Sequence, residues 1–346
     1  MPLFLREDDV STLLSMEDAI SMVRRAFRSL AEGTGMNTPR VRPRLPRDAA
    51  RAPRMLQTMS AALDGLGFGL KAYTVASGGV RFVVLLWDDV TGDLLAMLEA
   101  DRLGVVRTGA ASGVATERMA RKEASVLAVY GSGHQAFAQL EAIRAIRPIT
   151  ELRVFSPTSE HRNALARRAE SELGLDAAAV DEPAEAAKGA DIVVTITNAA
   201  EPVVSSEWIA EGAHVVAAGS NRPQAAELDP AILARARLVA VDSREQARSE
   251  AGDVLRARQA GYDIRLEDLV ELSELVAGSR EMQQDSPNTG TGRGLSAAQS
   301  ESDGGAGDLT VFESLGIAAE DVVVARFLYD RALAAGRGEE LPQTIL

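Results

Sequence analysis

The sequence predicts an α/β protein of two domains: an α+β domain built on an antiparallel sheet, then a domain with a parallel sheet flanked by helices. Three observations carry this. Between Met55 and Leu98, short alternating or apolar runs are separated by Gly78-Gly79 and by Asp88 to Gly92, the spacing of hairpin-connected strands. Beyond Met119, strand-like and helix-like segments alternate in the manner of βαβ units. Finally, the β-rich run Ala124 to Tyr130 enters Gly131-Ser132-Gly133-His134-Gln135-Ala136 and leaves as a helix. In such a turn the first glycine permits the bend, the second lets backbone N–H groups approach a pyrophosphate, and Ala136 lets helix and strand pack closely. The strand before and helix after it make this a Rossmann-type dinucleotide site, since the glycine pattern alone is common.

The elements follow in order. Residues 10–32 read as one amphipathic helix with Ile20, Val23, Ala26, Phe27 and Leu30 on its apolar face and Ser11 or Ser15 as cap. Thr38 to Pro46, with three prolines and three arginines, is an Arg-bearing loop or edge strand. Strands are expected at Met55–Ser60, Phe68–Val75, Arg81–Trp87 and Leu94–Glu99, and a helix from Asp101 to Met119. The parallel-sheet domain then runs through Val126–Tyr130, Leu152–Ser156, a helix over Ser159–Leu173, Ile192–Thr197, Glu207–Glu211, His214–Ala218, Pro230–Arg235 and Leu238–Val241. Residues 279–308 are rich in Gly, Ser and Gln and nearly free of apolar side chains, which predicts a mobile loop. From Val311 to Ala335 the pattern is read as helical, returning to the first domain. The predicted boundaries are 1–114, 115–308 and 309–346.

Bulk properties exclude whole classes of function. With 346 residues, 46% of them hydrophobic, the chain can bury two cores. A formal charge of −13 argues against nucleic acid and anionic membranes, which call for basic surfaces, and favours small-molecule partners. There is no cysteine, hence no disulfide, thiolate metal site or cysteine nucleophile. The N-terminus lacks a basic region and a long apolar core, so a cytoplasmic location is expected. His134, His161 and His214 lack metal-ligand spacing, no metal is expected, and no serine lies in a nucleophile elbow.

Where an NAD-binding unit usually carries an acid for the ribose 2′-hydroxyl, this chain has Ser156, followed by Thr158 and Arg162. Losing the carboxylate removes repulsion toward a 2′-phosphate, so NADP(H) is favoured, with NAD(H) possible. Lys71 interrupts an apolar strand, either as an active-site cation or as an ordinary outward-pointing lysine. Arg107 opens a small-residue helix before the nucleotide domain, where a guanidinium fork could grip a carboxylate or form an interdomain salt bridge.

Taken together, Lys71, Arg107-Thr-Gly-Ala-Ala-Ser, Gly131-Ser-Gly-His-Gln-Ala, Ala190 to Thr197, Ala217-Ala-Gly-Ser-Asn221 with Glu227-Leu-Asp-Pro, and Leu309-Thr-Val-Phe-Glu-Ser314-Leu-Gly resemble the ornithine cyclodeaminase/μ-crystallin family over about residues 10 to 335. The resemblance implies a first domain whose sheet pairs with its copy in a homodimer, a Rossmann domain, a last helix closing back on the first domain, and a substrate cleft between domains. It also implies that Arg40 and Arg107 hold the substrate carboxylate, with Arg42 and Arg44 as alternatives for the place of Arg40. Lys71 would polarise or protonate the reacting atom, and Ser314 would sit near nicotinamide and substrate. Thr108, Gly131, Gly133, His134, Gln135, Ser156, Thr158, Arg162, Thr197, Ala218, Gly219 and Ser220 would line the cofactor. Residues 282–307 form a longer connection than the family usually has.

Two positions depart from the cyclodeaminase pattern: Asn221 replaces an aspartate and Gln57 a glutamate. An amide cannot act as general base. The expected activity is therefore NAD(P)H-dependent reduction of a small 2-imino acid or cyclic ketimine, with Lys71 and Asn221 at the reacting centre and Gln57 in the substrate pocket. The alternatives are amino-acid dehydrogenase or ornithine cyclodeaminase-type ammonia lyase activity, and NADPH-dependent ligand binding of the μ-crystallin type without turnover. Arg42, Arg44 and Arg54 would suit a second substrate carboxylate.

Overall fold

The computed structural model describes residues 1–45, 54–278 and 308–342. Most of the loop predicted at 279–308 lies outside the described residues. The chain divides into two compact units, a terminal unit of Met1–Ala111 with Gly316–Leu346 and a central unit of Ser112–Leu315.

The terminal unit begins with β1 (Leu3–Leu5), α1 (Glu7–Leu13) and α2 (Met16–Ala31). The single helix expected over 10–32 is thus two, broken where the Ser15 side chain accepts from the Asp18 amide and caps α2. β2 (Gly35–Asn37), β3 (Met55–Leu63), β4 (Gly67–Ala76), β5 (Gly79–Trp87) and β6 (Leu94–Glu99) follow, then α3 (Asp101–Met119). Val41 and Arg44 form isolated bridges to Thr58 and Met55, so the proline-rich segment skirts β3 as an irregular edge. The sheet is mixed rather than purely antiparallel, because β1 pairs in parallel with β6; three residues are too few to show a period.

In the central unit, β7 (Val126–Tyr130), α4 (Ala136–Ile146), β8 (Glu151–Phe155), α5 (Ser159–Leu173), β9 (Asp176–Ala179), α6 (Pro183–Ala187), β10 (Ile192–Thr195) and β11 (His214–Ala217) are followed by α7 (Pro230–Arg235), β12 (Leu238–Val241), α8 (Arg244–Glu250), α9 (Gly252–Gln259), β13 (Val270–Glu271), α10 (Leu272–Ala277) and β14 (Thr310–Glu313). The segment expected at Glu207–Glu211 is a single 3-10 turn, Ser206–Trp208. The sheet order is β13-β12-β14-β11-β10-β7-β8-β9, with every pair parallel. Leu127, Val129, Val193, Val215, Val241 and Val311 are fully buried, as strands covered on both faces require.

One expectation is corrected here. Thr310 to Glu313 is a central strand between β11 and β12, so residues 309–315 belong with the parallel sheet, not with the returning helix. All four are buried, and a short run buried on both faces shows no alternation by which to tell strand from helix. The chain then re-enters the terminal unit through α11 (Ala318–Ala335) and ends at β15 (Glu339–Glu340), which pairs with β1. The helix α11 packs on β3, β4 and α2.

Candidate functional site

In the terminal unit three cations converge on the start of α11. Lys71, midway along β4, is only 2% exposed, and its Nζ donates to Asp321 Oδ1 at 2.7 Å. Arg107, in α3, donates from Nη1 to Glu320 Oε2 at 2.6 Å and from Nε to the same Asp321 oxygen at 3.2 Å. Arg40 donates from Nη2 to the Gly316 carbonyl at 2.9 Å and from Nε to the Met59 sulfur at 3.1 Å. The Arg107 guanidinium packs against the α-carbon of Gly316, where an added Cβ would lie 2.5 Å from Nη1, so the two arginines meet at one residue. Lys71 is therefore not an outward-pointing strand lysine. The Arg107 ion pairs with Glu320 and Asp321 lie within its own unit.

Lys71 Nζ also lies 5.4 Å from the centroid of the Phe82 ring, a favourable cation–π placement. Burial, and then the neighbouring Arg107, push the Lys71 ammonium down to about 8, against the raising effect of Asp321. A lysine in that range exchanges a proton near neutral pH. Three cationic side chains, Arg40, Lys71 and Arg107, thus gather around the paired carboxylates of Glu320 and Asp321. Asp321 Oδ2 has no hydrogen-bond partner among the described residues. Beside this group, Gln57 Oε1 accepts from Tyr73 Oη at 2.7 Å and from Arg42 Nε at 3.0 Å, which turns its carbonyl toward donors. Arg44 is exposed and Arg54 half-buried. Thr108 donates its hydroxyl to the Gly104 carbonyl one turn back in α3, at 2.7 Å.

The acidic pair Glu320-Asp321 is absent from the sequence-based site. Its signal was present: two adjacent carboxylates opening an otherwise apolar helix, Ile317 to Ala325.

In the central unit, the remaining residues gather at the carboxyl ends of the strands. The order reverses between β7 and β10, the crevice where open parallel sheets bind ligands. Gly131, next after β7, has φ +113 and lies so close to the Ile196 carbonyl that a Cβ would collide with it. At Gly133 a Cβ would meet open space, leaving room for a phosphate before the N-terminus of α4. His134 is exposed and Gln135 half-buried. Ser156, next after β8, shares a 2.7 Å hydrogen bond with Ser132. Arg162 donates to the Ser156 carbonyl and pairs with Asp181, while Thr158 is exposed.

Thr197 and Gly219 follow β10 and β11, and both backbone amides donate to the buried carboxylate of Glu227. Ala218 is half-buried, Ser220 buried, and Asn221 half-buried next to it. Burial raises the Glu227 carboxyl, with donors at Thr197, Gly219 and Thr195 acting in the opposite direction. Ser314, after β14, is buried, and its hydroxyl has no partner among the described residues.

The glycine turn, its open space and the donors at the strand ends fit a dinucleotide. Among the described residues no group of His, Asp or Glu could hold a metal ion, and no helix is long and apolar enough to cross a membrane.

Known proteins resemble this chain in sequence and fold over most of its length. A Delta(1)-pyrroline-2-carboxylate reductase of Bacillus cereus is 35% identical over 291 residues, 82% of this chain and 83% of its own. The Thermococcus litoralis Delta(1)-pyrroline-2-carboxylate reductase, solved with NADH and L-proline, superposes with a TM-score of 0.86 at 29% identity, covering 98% of this chain and all of that one. An archaeal alanine dehydrogenase dimer with bound NAD gives 0.85 at 31% identity, covering 99% of each. The profile of one family spans residues 1–336, and the chain accordingly belongs to the ornithine cyclodeaminase/mu-crystallin family.

Proposed function

We propose that this protein is an oxidoreductase that reduces the C=N bond of a small 2-imino acid or cyclic ketimine carboxylate, yielding the amino acid. The observation that carries the reading is the buried group of Arg40, Lys71 and Arg107 beside Glu320 and Asp321, which gathers two guanidinium groups and an ammonium in one place, the chemistry that recognises a carboxylate next to a group to be protonated. Arg107 and Arg40 hold that carboxylate with their forked donors. Lys71 holds a proton at the imine nitrogen, which makes the adjacent carbon electrophilic. A nicotinamide dinucleotide, when bound, supplies the hydride. Asn221 and Gln57 orient the substrate by hydrogen bonds, and as amides they take no proton, which disfavours ammonia release.

The reductases that the chain resembles act on a five-membered cyclic imine, which makes Delta(1)-pyrroline-2-carboxylate the first substrate to offer. For the cofactor, Ser156 and Thr158 favour NADPH over NADH, and the pairing of Arg162 with Asp181 limits the margin. Phe68 and Leu56, 46% and 42% exposed on the sheet of the terminal unit, and the dimeric state of the archaeal relative support a homodimer.

The test is loss of nicotinamide absorbance from NADPH and NADH with Delta(1)-pyrroline-2-carboxylate, its six-membered homologue, and pyruvate, glyoxylate or oxaloacetate with and without ammonia or methylamine. Oxidation that requires a preformed imine or added amine is expected. Silence with every imine, together with ammonia release from ornithine, would replace this reading by deamination.

A further inference from the structure

The carboxylate of Glu227 lies outside the group of residues that face the reacting atoms, yet it joins two strand ends. Glu227 is fully buried. Its Oε1 accepts from the Thr197 amide at 2.6 Å. Its Oε2 accepts from the Gly219 amide at 2.7 Å and from the Thr195 hydroxyl at 3.1 Å. Thr195 ends β10 and Gly219 lies two residues beyond β11, so one carboxylate gathers the chain as it leaves two neighbouring parallel strands.

The fit is tight from both sides. A Cβ at Gly219 would strike Glu227 Oε1 and the Thr197 backbone, so the Gly219 amide reaches the carboxylate only because no side chain stands there. The backbone of Glu227 is pinned in turn, since its amide and that of Leu228 donate to Asp253 Oδ1 at 2.8 and 2.7 Å. An ionised carboxylate accepts at both oxygens, whereas a glutamine has one acceptor and would set an NH2 group against an N–H.

In a Rossmann sheet the glycine turn after the first strand takes the pyrophosphate and the strands on one side of it take the adenosine half. The strands on the other side of the switch point, here β10 and β11, take the nicotinamide half. We infer that Glu227 is a positioning residue for the nicotinamide half of the cofactor: it sets the Thr197 and Gly219 loops at a fixed spacing without touching the cofactor itself. This rests on the reading of Thr197 and Ala218 to Ser220 as cofactor-lining.

The experiment compares wild type, Glu227→Gln and Thr195→Val for binding of NADH and NADPH by fluorescence and of 5′-AMP by competition. Turnover with the imine and the deuterium isotope effect on hydride transfer are measured in parallel. In Glu227→Gln, the Kd of the intact cofactor should rise about ten-fold, the loss of one charge-assisted hydrogen bond. The 5′-AMP affinity should stay within about two-fold, and the isotope effect should grow. Thr195→Val, which removes one donor and leaves both amides in place, should move the same quantities in the same direction by less, and it carries the test should Glu227→Gln not fold.

Parallel weakening of cofactor and 5′-AMP would assign Glu227 a merely structural role and overturn the inference, as would unchanged binding and isotope effect in both variants. A wild type that binds 5′-AMP but neither NADH nor NADPH would overturn the cofactor reading itself, and the inference with it.

Discussion

Replacing Asp321 by Asn removes the one carboxylate oxygen that binds both Lys71 and Arg107. The change is nearly isosteric and leaves Glu320 on Arg107, so its main effect is electrostatic. Lys71 Nζ lies 2.7 Å from Asp321 Oδ1, with the two side chains 3% and 0% exposed. At an effective dielectric of about 20, a pair at that distance attracts by roughly 6 kcal/mol. If relaxation of the freed Arg107 and entering water offset two thirds of this, roughly 2 kcal/mol remain, about a thirty-fold loss of proton affinity at Lys71. Lys71 titrates at about 8 in the intact protein, and its protonated form is the one that serves the imine. Wild-type kcat/KM should therefore hold below pH 8 and decline as pH rises through it. In D321N the same decline should begin about one and a half pH units lower. The assay is the pH profile of imine reduction at saturating cofactor. A D321N enzyme that keeps the wild-type alkaline limb while losing activity equally at every pH would refute the assignment of Asp321 as the group that holds the Lys71 proton.

Lys71→Ala should cut turnover by about a hundred-fold or more while leaving cofactor Kd unchanged, because it removes the proton donor, and the ion pair lost with it lies in the terminal unit, whereas the glycine turn lies in the central one; steady-state kinetics with fluorescence titration checks both. Ser156→Asp should shift preference toward NADH by about ten-fold or more through repulsion of a 2′-phosphate, read from the ratio of kcat/KM values. His214 is fully buried, and burial, with the charge of Arg147 second, lowers it from 6.5 to about 3. The unfolded chain thus binds the extra proton first, and stability present above pH 6.5 is lost as pH falls toward 3, by about 5 kcal/mol from this residue. Chemical denaturation of His214→Leu across that window should show a correspondingly flatter acid side.

Much of the architecture was legible in the sequence, for reasons that differ by element. The strands β3 to β6 stand out because glycine and aspartate turns punctuate them, and α5 and α7 because their end signals, Gly174 and the Asp229-Pro230 pair, are intact. The strand β14 was misread because four residues buried on both faces carry no period. The strand β1 is three residues long and holds its place by pairing with β6, a long-range event with no local signature. Within the site, Lys71 and Arg107 were conspicuous as charges in apolar surroundings, and the structure brings them together with Arg40. Their counter-ions Glu320 and Asp321 were not found, because an acidic first turn is ordinary helix chemistry and only tertiary packing reveals what it faces. Glu227 was visible as part of a motif, but its role depends on two loops that the sequence separates from it by 8 and 30 residues.

The placement of β14 bears on how the chain reaches its fold. His214 and Thr310 pair across neighbouring strands although they stand 96 positions apart in the chain. Until that strand has left the ribosome, β12 and β13 have no hydrogen-bonded link to the rest of the sheet, and a two-stranded ribbon is barely stable alone. The edges of β11 and β12 stay open through this interval, each an invitation to pair with a foreign strand. Assembly therefore closes from the middle outward and late, with a slow, high-contact-order step at its end. During synthesis, the nascent chain needs protection longest at the two strands that will flank β14.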